Sequence, residues 1–520
     1  MYKSLSYIFL TFGLIFTLSI KAQDIPTLKV ANQYFNDNNF NDALDIFLSV
    51  EEDYQEDQKF NYRVGVCYLN TNIDKSNAIP YLKKALVLGN TDPNTYYLLG
   101  RAYHFAYRFN DAIKMYEKFK TLNKGEAFNI ENVDKQIEYC YNAIEIMKFP
   151  LDVTFENLGP NINSEGPDYY PFIPKDESFL VFNSKRDDGS AKKANGNFFS
   201  EIYLSEVKSG TFTKAIKLDQ NINTLDGTEE VVGLSANGDD ILFYYENKLS
   251  YGDLYIAEYN LLRGVYEVEK LPKVINTKGH EIAASISRFG DVIYFASDRD
   301  GGYGGVDLYV SRKLPNGKWS LAQNLGPSIN TKDDEDFPNI STDNKTLYFS
   351  SKGHTSMGGY DIFKANWDPV KHNWTDVKNI GFPINTPEDN MNYRESSTGR
   401  RGYISALRAG GFGDLDIYNV TFNEVDMQYT VFKGYISDKG NNEPIKDVFI
   451  SVLDLQTDEE YGNYMTNPQS GRYVMILPPG KYNMLIEVPG YKLFTEDIEV
   501  YGKGSFRSVV KKDFSLEKAN

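Results

Sequence analysis

Cysteine, histidine and tryptophan are scarce in this 520-residue chain, which holds two, four and three of them. Two thiols cannot staple a chain of this length, so a disulfide framework is excluded as the source of its stability. Cys67 and Cys140 both fall in helical patterns, which predicts buried free thiols; a bridge between them is the other arrangement open to the sequence. The histidines, His104, His280, His354 and His372, are scattered without metal-ligand spacing. Basic side chains are also in deficit, 55 Lys and Arg against 72 Asp and Glu, a net charge of −17. That balance repels nucleic-acid backbones and anionic lipid as general partners and leaves a basic partner open.

Long apolar runs are missing too, except at the start. In MYKSLSYIFLTFGLIFTLSIKAQD, Lys3 precedes an apolar run from Leu5 to Ile20 and then Ala22. This order predicts a secretory signal over 1–22 with cleavage near Ala22 and a periplasmic mature chain; an uncleaved anchor is the alternative. No cysteine stands directly after the run, so lipid attachment at a new N-terminal Cys is not expected. A mature chain of this size exceeds one core, and several domains are expected.

The first pattern is helical, over 24–148. Ala31, Gly65 and Gly100 lie 34 and 35 residues apart, each followed three positions later by Tyr34, Tyr68 or Tyr103. Ala43, Ala78 and Ala112 then open a second helix carrying Phe47, Leu82 and Tyr116 one turn on. Small residues where helices touch, with aromatics between, predict three stacked helix pairs and a closing helix from Val133. The first helix of each pair would line a concave face with Asn32, Phe35, Tyr62, Val66, Tyr97, Arg101 and His104, either as a partner-binding surface or as a solvated helix face.

Past Pro150 the chain turns to short alternating runs rich in Tyr, Phe, Ile and Val, the composition of strands. LGPNINSE, LDQNINTL, LPKVINTK, LGPSINTK and IGFPINTP place Asn163, Asn223, Asn276, Asn330 and Asn385 at spacings of 60, 53, 54 and 55. Glu201, Asp253, Asp307, Asp361 and Asp416 open a later strand in each copy. Four strands per copy predict a propeller blade, and five copies a five-bladed β-propeller over 151–425. The last copy leaves for another domain without an outer strand, so Val153 to Glu156 is expected to complete it. The glycine loops SDRDGGYGGVD and SSKGHTSMGGYD precede no helix and carry no GK[ST], which removes a phosphate cradle. A calcium loop would keep its acidic spacing between copies, as these do not. Gly301, Gly302, Gly304, Gly305, Gly358 and Gly359 are therefore read as turn residues chosen for positive φ. Asp168, Glu229, Glu281, Asp336 and Asp389 follow the repeated Asn and would form an acidic ring at one mouth; alternatively each carboxylate caps its own turn or pairs with Arg186, Arg299 or Arg394. No nucleophile elbow occurs, since GLSAN at Gly233 lacks its second glycine, and neither an enzyme nor a cofactor nor a metal is expected.

Three resemblances rest on these residues. The helical spacing resembles tetratricopeptide repeats, and the strand copies are similar to the WD-repeat-like blades of TolB-type propellers. From Tyr429, a strand with Gly434, the NNEPI turn, the PPG turn ending at Gly480, and GYK at Gly490 resemble the carboxypeptidase-regulatory-like domain, which implies an immunoglobulin- or prealbumin-like β-sandwich over 429–516. Together they are similar to an OmpA-family envelope architecture with PorE-type components of type IX secretion and gliding among its members, without the final peptidoglycan-gripping domain. The resemblance implies a non-catalytic scaffold, associated with the outer membrane, that binds envelope proteins or secretion-system components and meets peptidoglycan indirectly if at all. A peptide- or glycan-binding module for sensing or uptake is the alternative.

Overall fold

A computed structural model describes residues 27–519 except 91, 124–126, 190–191, 194–195, 197, 225–226, 248–249, 261–262, 264, 397–398, 424–429, 456–458, 469 and 501–508. The expected leader at 1–22 lies outside the described residues. Among those described, no helix is long and apolar enough to cross a membrane.

The chain opens with a small helical region. Its helices pair as Leu28–Asn36 with Phe40–Ser49, Gln58–Leu69 with Ala78–Val87, and Asn94–Phe105 with Phe109–Leu122, followed by Ala127–Ile146. The small positions set the helix spacing: a Cβ on Gly65 would meet Leu82 at 2.6 Å, and one on Gly100 would meet Tyr116 at 2.6 Å. Ala31, Ala43, Ala78 and Ala112 are wholly buried beside them. Cys67 and Cys140 are free and buried, and burial pushes both thiols up to about 12, so they are inert fillers of the helical core.

Among the described residues, five antiparallel sheets follow in a propeller-like array. Their leading strands are Asp168–Phe172, Gly227–Leu234, Glu281–Ile286, Glu335–Ile340 and the short Arg394–Glu395. In the second, third and fourth sheets the strands run outward in chain order. The fifth orders as Arg394–Glu395, Arg401–Ala406, Asp416–Phe422 and then Val153–Asn157, whose Val153 pairs with Phe422 and Asn157 with Tyr418. The segment ahead of the first copy thus supplies the last sheet's outer strand and covers the edge of Asp416–Phe422. The first sheet's leading strand lies against Arg401–Ala406 of the fifth, and Asn339 of the fourth donates to the Tyr393 carbonyl at 2.9 Å, which joins the array end to end.

The C-terminal part packs two sheets over a core of Phe432, Ile450, Tyr473, Tyr482 and their neighbours. One sheet orders as Arg472–Leu477, Thr430–Asp438 and Val509–Lys511; the other as Glu459–Met465, Phe449–Asp454, Gly480–Glu487 and Phe494–Val500. Gly434 is required by close approach, since a Cβ there would run into the Lys512 carbonyl.

Candidate functional site

The repeated asparagines are structural clamps. Asn163, Asn223, Asn276, Asn330 and Asn385, all buried, each accept from a strand N–H and donate to the carbonyl of that same residue: Ile417, Ile202, Leu254, Leu308 and Ile362. Each amide therefore mimics one residue of an adjoining strand and satisfies a third-strand peptide that burial would otherwise leave unpaired. Six residues before each clamp stands Asn157, Lys217, Lys270, Asn324 or Asn379, and each donates to the acid that opens the third strand: Asp416, Glu201, Asp253, Asp307 or Asp361. The sequence shows this six-residue offset, but two residue types share the position.

The glycine loops answer to the same acids. Tyr303 N and Gly304 N donate to Asp307 at 2.6 and 2.9 Å, and Met357 N donates to Asp361 at 2.9 Å. Burial pushes the Asp361 carboxyl up to about 8. The expected positive φ holds at Gly301 alone among the six glycines named. Gly304 and Gly358 are needed for a different reason: a Cβ on either would collide with the next sheet's turn, at the Asp333 and Pro387 carbonyls, and Gly413 stands in the same relation to Glu165.

The acids following each clamp face inward. Ser164, Thr224, Thr277 and Thr331 donate through their hydroxyls to Asp168, Glu229, Glu281 and Glu335, and Thr386 N donates to Asn390. Glu335 and Asn390, rather than Asp336 and Asp389, are therefore the register equivalents of Asp168. Asp168, Glu229 and Glu281 are fully buried, so they present no charge to a mouth. Arg186 reaches Asp168 at 2.5 Å and Arg299 reaches Glu281 at 3.2 Å, the pairing named as the alternative. Asp336 is buried and pushed up to about 7 by desolvation, whereas Asp389 is exposed and accepts from Tyr360 N.

Of the seven residues expected on a concave face, the structure gathers three. Tyr97, Arg101 and His104 line a cleft of about 450 Å3 closed on its far side by Gly358, Gly359, Glu388 and Asp389. His104 is 4 % exposed, and its Nε2 meets the Met357 carbonyl at 2.8 Å. Burial lowers its pKa to about 4, so the ring is neutral and donates that bond. The surface at His104 is thus covered by the chain's own glycine loop, which helical periodicity could not show, the partners being 253 residues apart. Tyr139 and Asn142 donate to the Lys352 and Ser356 carbonyls, Lys135 pairs with Asp333 at 3.0 Å, and Lys75 pairs with Glu388. Met357 completes the helical core. Arg101 lies 5.4 Å from the Phe105 ring and has no carboxylate partner among the described residues. Asn32 and Phe35 are engaged by Arg63, and Tyr62 accepts from Asn94 at 3.3 Å; with Val66 they stand outside the cleft.

No family model matches this sequence, and no curated protein matches it. Among solved structures the chain is similar to TolB from Acinetobacter baumannii at 16% identity and a TM-score of 0.32, over 56% of this chain and 70% of that one. It is similar to CoXyl43, a β-xylosidase/α-arabinofuranosidase from a compost microbial metagenome, at 12% identity and a TM-score of 0.35, over 51% and 93%. A stretch covering 19% of the chain is similar to 62% of 3-chlorocatechol 1,2-dioxygenase from Rhodococcus opacus 1CP, at 14% identity and a TM-score of 0.15. The last span is under two thirds of that enzyme, and likenesses at these TM-scores assign no activity.

Proposed function

We propose that this chain is a non-catalytic scaffold of the bacterial envelope, built as a tetratricopeptide-type solenoid, a closed five-bladed propeller and a regulatory-like sandwich. It is exported to the periplasm and held near the outer membrane by the proteins it binds. The observation that carries this reading is where the polar side chains go. The repeated Asn, Thr and acidic residues are consumed in clamping strands and turns, and His104, the most buried of the histidines, fastens the solenoid to a glycine loop. Helices and sheets so joined make one broad platform, which suits the docking of several envelope or secretion-system proteins at fixed spacing. Catalysis would need a nucleophile and base at hydrogen-bond reach in an open site.

The cleft beside Arg101 is the partner-facing part of the solenoid in this reading, and its guanidinium, without a carboxylate among the described residues, suits an acidic segment. Affinity capture from solubilised envelopes by the wild type and by a folded Tyr97→Ala/Arg101→Glu variant tests it. The wild type should retain envelope proteins that the variant loses; identical capture by both removes the cleft from the account. The cleft's size also favours the alternative of a peptide-binding module for uptake, which predicts binding of free short peptides with no protein partner.

A further inference from the structure

We propose that the axial mouth at the ends of the leading strands is a carboxylate-binding site, with Arg394 as its floor. Strand register defines an axial layer of one residue per sheet. Phe172, Gly233, Ser285, Asn339 and Arg394 sit opposite Val181, Leu242, Tyr294, Tyr348 and Tyr403, each the third residue of its sheet's second strand. Arg394 is the one charged member. Its guanidinium lies 3.8 Å from the centre of the Phe172 ring in the neighbouring sheet and extends towards the second sheet, where Gly233 offers no side chain.

Arg394 is 6 % exposed and has no carboxylate partner among the described residues. Its Nε donates to none of them, and Nη2 meets the Val232 carbonyl only at 3.5 Å, the outer limit of a hydrogen bond. Burial alone acts on its pKa and lowers it well below the usual value, with no acid to restore it. A buried, unpaired guanidinium is strongly unfavourable. Elsewhere the half-buried guanidiniums have closer partners: Arg186 reaches Asp168, Arg299 reaches Glu281, and Arg408, whose Nε also lacks an acceptor among the described residues, reaches the Pro383 carbonyl at 2.8 Å. A group left without one inside a built cavity awaits an anion.

The cavity that Arg394 lines measures about 60 Å3 and draws its walls from all five sheets. One water needs roughly 10–15 Å3 on the same measure, so there is room for a carboxylate with a water or two and none for a sugar ring. Lys175 and Arg288 stand exposed at its rim without ion pairs among the described residues, while its acid, Glu395, accepts from Tyr348 at 2.9 Å. The mouth is therefore cationic in a chain of net charge −17. A bidentate guanidinium at the end of a narrow, cationic funnel matches the carboxylate of an extended peptide, at its C-terminus or on an acidic side chain. This deepens the scaffold reading by giving the propeller a ligand chemistry, yet it fails separately, because the Tyr97/Arg101 variant leaves this mouth intact.

Calorimetric titration and thermal shift of the mature chain test it, at matched ionic strength against chloride. The probes are acetate, inorganic phosphate and the peptide acetyl-Gly-Gly-Ala as free acid and as C-terminal amide. The wild type should bind the free acid saturably and at least tenfold more tightly than the amide. Arg394→Gln should lose at least tenfold, and Lys175→Gln/Arg288→Gln a few-fold. Acetate or phosphate binding as tightly as the peptide would assign the site to a free oxyanion and overturn the peptide reading. Absence of binding by all four probes, or equal binding by Arg394→Gln, would overturn the site altogether. Should Arg394→Gln fail to fold, the acid-against-amide comparison and the rim variant decide.

Discussion

Replacing Glu156 by proline should loosen the ring of sheets where its two ends meet. In the pairing of Val153–Asn157 with Asp416–Phe422, Asn423 N donates to the Asp152 carbonyl and Leu158 N to the Ile417 carbonyl. Antiparallel pairs alternate, so the N–H groups of Thr154 and Glu156 point into the ladder while those of Val153, Phe155 and Asn157 point away. Glu156→Pro removes an exposed side chain and one ladder donor, and it orphans the carbonyl of Asn419, itself 8 % exposed. A lost bond plus an unpaired buried carbonyl amounts to about 2–4 kcal/mol. Val153→Pro leaves the ladder intact and removes only a half-buried side chain, at most about 1 kcal/mol. Tryptophan fluorescence reads the result selectively, because Trp319, Trp367 and Trp374 all lie in the third and fourth sheets or their connections. Thermal melts should fall by roughly 6–12 °C for Glu156→Pro, at about 3 °C per kcal/mol, and by little for Val153→Pro. Equal shifts for the two prolines, or none for Glu156→Pro, would refute closure through this strand.

Asn276→Ala leaves the Leu254 N–H and carbonyl and the Leu271 carbonyl without their side-chain partner, so it should destabilise the sheets by about 3 kcal/mol in urea melts followed by the same fluorescence. His104 makes the helix-to-sheet contact acid-sensitive. Its folded pKa of about 4 lies below the ordinary 6.5, so the unfolded chain binds more protons between those values, and stability is full above pH 6.5 and lost as pH falls toward 4. The loss is on the order of 3 kcal/mol. Asp361, raised to about 8 by burial, acts in the opposite sense, so the His104 part is read as a difference. His104→Gln should be less stable than wild type at pH 7.5 and approach it at pH 4.5, and parallel pH profiles would count against the histidine as the acid-sensitive fastening.

Periodicity carried the helical face and the five-copy lattice into view because both depend on residues close in sequence. Asn163 to Asn385 stood out by spacing, and the strand supply by Val153–Asn157 followed from counting strands. What local pattern could not supply was contact across the fold. The acidic runs around Asp336 and Asp389 offer neighbouring carboxylates, and only hydrogen bonding to the preceding Thr selects Glu335 and leaves Asn390 as the fifth member. Gly304 and Gly358 looked like turn residues, yet the next sheet's backbone dictates them. Arg394 carried no signal of its axial place, which depends on bulges at Tyr170 and Phe337, both at positive φ, in two other sheets.

Site-specific photocrosslinking in intact cells tests the scaffold reading most directly. A crosslinking side chain at Tyr97, in the cleft between helices and sheets, is compared with one at Val370, an 86 % exposed turn residue of the fourth sheet remote from it. Discrete adducts with envelope proteins are predicted from Tyr97, and none of the same adducts from Val370. Adducts that do not differ between the two positions, together with turnover of a peptide or glycan by the purified chain, would contradict the scaffold.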